Sequence, residues 1–200
     1  MSINLNNDEF DGGNDVVIFN GGTAGVAENI TVSLEKKKAD DKDKAPDYKL
    51  VFKDANGGTC NLPFWYVTEP TQWKTIEELI SAQGKVLKHI AYAILGDGYK
   101  FPKFANATQM LDGVMKLVKG GIKPGLTFRV FVNYGTPKSV KKYIQPRTWV
   151  PFMESMKVAI EDTRLKQGNY DAMERLEADN FSSSESSSTS SDDGDDDEDW

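Results

Sequence analysis

The sequence predicts a mainly β, α+β fold: short antiparallel strands with inserted helices, followed by an acidic C-terminal tail that stays disordered. Three observations carry this reading. Apolar and polar residues alternate with period two over 29–35, 48–52 and 126–134, as in half-buried strands. Between the early and late alternating stretches, apolar residues instead recur at helical spacing over 75–95 and 108–119. Nowhere do strands and helices alternate regularly, which argues against a doubly wound parallel sheet.

The elements follow in order. Residues 1–25 read as an irregular acidic arm, with turn clusters at 11–15 and 20–25 around the apolar stretch 16–19. Ile30, Val32 and Leu34 face one side of a first strand. A lysine-rich connection over 36–46 leads to a second strand with Tyr48, Leu50 and Phe52 on one face. A turn at 54–58 gives a third strand over 59–67, containing Trp65 and Tyr66. Thr75 and Glu78 then form a capping box for a helix over 75–95, which ends at Gly96-Asp97-Gly98. A shorter helix over 108–119 carries Met110, Leu111, Val114, Met115 and Val118 on one side and stops at Gly120-Gly121. Strands are expected over 126–134, 139–144 and 147–152, then a polar helix over 154–178 interrupted near Gly168. Three strands, a helical insertion and two or three further strands have the layout of a five-stranded Greek-key barrel, the OB-fold. The body would span 26–180, and an antiparallel sandwich with helical decoration is the competing architecture.

Charge divides the chain more sharply than its average suggests. The net charge is −7 over 200 residues. Yet residues 100–150 hold ten Lys/Arg and a single acid, Asp112, while residues 181–200 hold eight acids and no base. Residues 182–191 include eight serines, and such a run cannot bury enough apolar surface to offset its ordering entropy. One cysteine, Cys60, excludes an internal disulfide framework and suggests a reducing compartment. No apolar run approaches the roughly 20 residues that cross a bilayer, and the acidic N-terminus has no signal-peptide core. A soluble, cytoplasmic protein with no membrane partner is expected.

Catalysis finds little support, and no cofactor or metal site is expected. The single histidine, His89, falls within the long helix and reads as a residue at the core edge. Cys60 reads as a small apolar strand residue. The glycines at 21–25 open no helix and are followed by no Gly-Lys-Ser/Thr, so they form no phosphate loop. The acids at 192–199 sit on a tail rather than in a rigid cage. Binding is better supported. Lys100, Phe101, Lys103, Phe104, Arg129, Phe131, Lys138, Lys141, Lys142, Tyr143, Arg147 and Trp149 mix cations with flat rings. Cations neutralise the phosphates of single-stranded nucleic acid, and rings stack its unpaired bases. Phe128 and Tyr134 belong with the core instead, and Lys141-Lys142 also fits the charge that keeps an edge strand from aggregating. The cluster Lys36-Lys37-Lys38, Lys42 and Lys44 is interleaved with acids and reads as a solvated loop beside that face. Trp65, Tyr66 and Trp73 stand open between core and stacking platform.

A basic body, a serine-rich linker and an acidic tail closed by an aromatic residue resemble the single-stranded DNA-binding proteins of bacterial and phage replication. The tail residues that carry the resemblance are Asp192, Asp193, Gly194, Asp195, Asp196, Asp197, Glu198, Asp199 and Trp200. The bacterial form ends in Pro-Phe; this chain ends in Trp, closer to phage proteins. The resemblance implies a protein that coats single-stranded DNA in replication, recombination or repair, in the host cytoplasm if phage-encoded. It implies that Asp195, Asp196, Asp197, Glu198, Asp199 and Trp200 recruit a polymerase, primase, helicase or nuclease, while the tail competes with DNA for the basic groove. A homo-oligomer is compatible with it. The alternative is a non-catalytic, acidic-tailed chaperone or scaffold.

Overall fold

The alternating stretches at the start of the chain form an antiparallel meander of β1 (Gly25–Lys36), β2 (Tyr48–Lys53) and β3 (Thr59–Phe64). The computed structural model describes residues 17–38, 41 and 44–175. Most of the N-terminal arm and all of 181–200 lie outside the described residues. Register places Val32, Phe52 and Cys60 in one inward row and Leu34, Leu50 and Leu62 in the next. Five of these six are buried, and Leu34 packs against the core from its margin. The opposite face is then fixed by the period of the strand: Thr31, Lys53 and Thr59 form one outward row, Ser33, Val51 and Asn61 another, Glu35, Lys49 and Pro63 a third.

The second half supplies β4 (Phe128–Thr136), β5 (Ser139–Pro146) and the short β6 (Met153–Ser155). All pairings are antiparallel, in the order β3-β2-β1-β4-β5, with β6 also on β4. β1 serves both halves: its start pairs with β4 and its end with β2. The register slips between Ala27 and Ile30, and Asn29 takes a left-handed backbone at φ 58°. An irregularity of this kind bends and twists a strand, and the sheet curls until β5 comes up against β3 without pairing along it.

Two helices lie between β3 and β4 in the chain. α1 (Ile76–Leu95) begins at the expected capping box, with Thr75 Oγ1 accepting from Glu78 N and Glu78 accepting from Thr75 N. α2 (Ala107–Gly121) is capped by Asn106, whose side chain accepts from Gln109 N. The helices pack on each other and bury Leu87, Ile90, Leu111, Met115 and Val118 in one core with Leu50, Phe52 and Phe128. The fold is a mainly antiparallel β-sheet with two helices, of the expected α+β class. No helix among the described residues is long and apolar enough to cross a membrane.

Three expectations about elements are corrected. The third strand ends at Phe64, three residues early. Residues 147–152 are not a strand: they loop out between β5 and β6, where Phe131 donates its N–H to Phe152 and accepts from Arg147 N on either side of the excursion. The polar helix over 154–178 does not form in its described part. After β6 come a turn and the 3-10 segment Ile160–Asp162, then irregular chain with a further turn near Gly168. That chain has a better partner than itself. Ala172 accepts from Tyr134 N and donates to Gly135 O, completing β4 where β1 has ended.

Candidate nucleic-acid interface

The twelve residues singled out in the body fall into three groups, with Trp149 standing apart. Arg129, Phe131 and Arg147 are in the interior, which corrects their expected place on an exposed face. β4 is buried on both sides from Phe128 to Gly135, because one face points into the core shared with the helices and the C-terminal chain lies over the other. Arg129 pairs with Glu28 at 3.0 Å and Glu154 at 3.4 Å, and donates to Val158 O. Arg147 lies 3.6 Å above the centre of the Phe131 ring, pairs with Asp171 at 3.0 Å and donates to the carbonyls of Pro151 and Lys166. Asp171 also accepts from Asn133 and Gly168 N. Burial pulls the Arg147 pKa down from the ordinary guanidinium value, and Asp171 opposes the shift. These cations hold the C-terminal chain to the sheet and have no face toward solvent.

Phe101 and Phe104 are partly buried on the connection between the helices. Phe101 packs against Tyr92 and Tyr99, with ring centres 5.8 and 5.3 Å apart. Phe104 lies so close over Gly113 that a Cβ there would run into its ring. Both rings anchor the connection, leaving Lys100 and Lys103 exposed on it.

The third group is gathered on one hairpin. β4 and β5 meet through residues 136–139, and Lys138, Lys141, Lys142 and Tyr143 are all exposed there. Tyr143 is 70% exposed, with the Lys142 ammonium 5.5 Å from its ring centre. Gly135 makes the hairpin possible. Its φ is 94°, and a Cβ would lie 2.6 Å from Ser139 O. Trp149, partly buried, stands on the 147–152 loop and borders a groove with Ala82, Lys85 and Val86 of α1.

Sequence reasoning passed over the outer face of the first three strands. Lys49, Val51, Lys53 and Asn61 point outward there, with Pro63 and the half-exposed Trp65 at its end. Trp65 lines a second groove that reaches Thr148 beside Trp149. The signal was present: once Tyr48, Leu50 and Phe52 are placed inside, alternation leaves Lys49, Val51 and Lys53 outside. At one end of this face is the β1–β2 connection with Lys37, Lys38 and Lys44. Its two described acids already have work within the chain: Asp41 accepts from Lys38 N and Asp47 from Tyr66 N. At the β3 side is the curled β5 hairpin.

Asp112, the lone acid of the basic stretch, sits beneath Lys36. It accepts from Tyr48 and Tyr66 hydroxyls and lies 3.8 Å from the Lys36 ammonium. The Tyr48 hydrogen bond, helped by Tyr66 and Lys36, holds its carboxyl below the usual range, while burial and Asp112 push Tyr66 up to about 12. His89 is half-buried; its Nε2 accepts from Phe152 N and Met153 N. Burial, with Arg164 nearby, lowers it to about 4. Burial, with Asp54 adding to it, raises the Cys60 thiol well above its ordinary value. The described residues include no group of three or more His, Cys, Asp or Glu placed to hold a metal. Comparison with family models, with curated proteins and with solved structures gives no match for this chain.

Proposed function

We propose that this protein binds single-stranded DNA on the outer face of β1–β2–β3 and between the two lysine-bearing connections that flank it. One observation carries the reading: an open sheet face with outward Lys49 and Lys53 is bounded by Lys37, Lys38 and Lys44 on one side and Lys138, Lys141, Lys142 and Tyr143 on the other. The strand order, the helices inserted after β3 and the approach of β5 to β3 favour an OB-type barrel, whose second and third strands and flanking loops are the usual binding surface. Small and flat outward groups let bases lie on the sheet, while the lysines neutralise phosphates. Asp195, Asp196, Asp197, Glu198, Asp199 and Trp200 lie outside the described residues. Their composition supports a tethered polyanion that competes for the same lysines and uses Trp200 to recruit replication or recombination proteins. The role is one of coating and recruitment, without catalysis.

The test is a titration of the full chain with fluorescent single-stranded and duplex oligonucleotides over a range of salt. Single strands of mixed sequence should bind more tightly than duplex, with a log–log salt slope of about −0.7 per phosphate neutralised. Preference for duplex, or binding indifferent to salt, would exclude this function.

A further inference from the structure

The β1–β2 connection is one border of the sheet face, and a second groove opens behind it. That groove, about 380 Å³, lies between the end of β1 and α2, and Lys36, Lys116 and Lys119 line it together with Tyr48, Asp112 and Met115. Lys116 and Lys119 are three apart on α2, hence on one side of the helix, and both are exposed. Lys36 also lines the concavity on the other side of the connection, where Lys37, Lys44 and Lys49 outnumber Glu35 and Asp41, Glu35 lying 4.0 Å from Lys49. It is thus the shared post between two hollows in each of which lysines outnumber acids. Its ammonium is held there, 5.2 Å from the Tyr48 ring centre and 3.8 Å from Asp112. The acid in the groove is already engaged, since Asp112 accepts from both tyrosine hydroxyls. From Asp112 to Glu154 the chain has no other acid.

We infer that this groove is an extension of the DNA track: a strand leaving the sheet passes Lys36 and lays its phosphates along Lys116 and Lys119 of α2. The inference rests on the single-stranded DNA reading above and adds to it a direction of exit and a longer occluded site. It also separates the contacts by length. A short strand fills the sheet face alone, and only a longer one reaches α2.

The experiment compares wild-type protein with Lys116→Ala/Lys119→Ala, both at exposed positions, on oligothymidylates of about 5 and about 30 nucleotides, lengths at and beyond the lower range of site sizes for one such domain. With the longer strand the variant should bind about tenfold more weakly at low salt, and its salt slope should be smaller by about 1.4, the share of two phosphates. With the short strand, affinity and slope should match wild type, as should the melting temperature. Equal affinity on both lengths, or an equal loss on both, overturns the extension while leaving the sheet-face reading in place. Failure of wild-type protein to bind either strand overturns both.

Discussion

At the scale of single residues, the same side-chain type has opposite fates depending on what covers it. Lys141 on β5 is solvated, whereas Arg147, only six residues on, is buried against Asp171. A buried pair is costly to break from one side, because the remaining charge has no partner. Asp171→Ala should therefore lower unfolding stability by roughly 3–5 kcal/mol, measured by urea denaturation. At temperatures where it stays folded, its affinity for single-stranded DNA should be unchanged. An affinity loss without a stability loss would return Arg147 to the binding face. His89 gives a pH dependence. Its folded pKa lies near 4, below the ordinary 6.5, because burial disfavours the charged imidazolium and Arg164 nearby repels it. The unfolded chain thus binds the proton first. The contribution is present above pH 6.5 and is lost as pH falls toward 4, by on the order of 2 kcal/mol. Urea titrations at pH 7 and pH 4.5 should show this loss, and His89→Gln should flatten it.

At the scale of elements, two irregularities shape the sheet. Asn29 lets β1 change partners, from β4 to β2, through a left-handed residue. Asn29→Gly should be tolerated, while Asn29→Val should cost about 1–2 kcal/mol, because a branched Cβ is disfavoured in that backbone region. Thermal melts of the two variants check this. The hairpin joining β4 and β5 projects Tyr143 and its lysines. If Tyr143 stacks a base, Tyr143→Ala should weaken single-stranded DNA binding by roughly 1–3 kcal/mol with little change in melting temperature. Lys141→Ala/Lys142→Ala should chiefly reduce the salt slope. A Tyr143 variant that binds normally removes the ring from the track.

At the scale of the whole molecule, a basic body and an acidic tail share one chain, so intramolecular competition is the outcome to test. A tethered segment acts at an effective concentration on the order of millimolar. Removing residues 182–200 should tighten DNA binding at low salt, with the gain shrinking as salt screens the tail. Trp200→Ala should leave DNA affinity alone and lose a replication or recombination partner in pull-downs. Identical binding by full-length and shortened chains would make the acidic run a bystander.

Much of this was legible before the fold was known. Period two in 29–35 and 48–52, the Thr75–Glu78 capping box and the apolar stripe of α2 depend on neighbours in the chain, so they fixed strand, helix and inward face by local rules. Charge counts alone separated a basic stretch from an acidic tail. What the tertiary structure decided was which basic and aromatic residues meet solvent. Arg129 and Phe131 alternate along β4 as outward residues would, but Glu154 and Val158 close over Arg129, and Arg147, paired with Asp171, lies on the Phe131 ring. That same β4 edge drew 171–173 away from helix, since unpaired backbone groups there offered hydrogen bonds that a polar helix interrupted by Gly168 could not match. Local periodicity reports only that a strand has two faces; which of them stays open depends on what the rest of the chain lays against it.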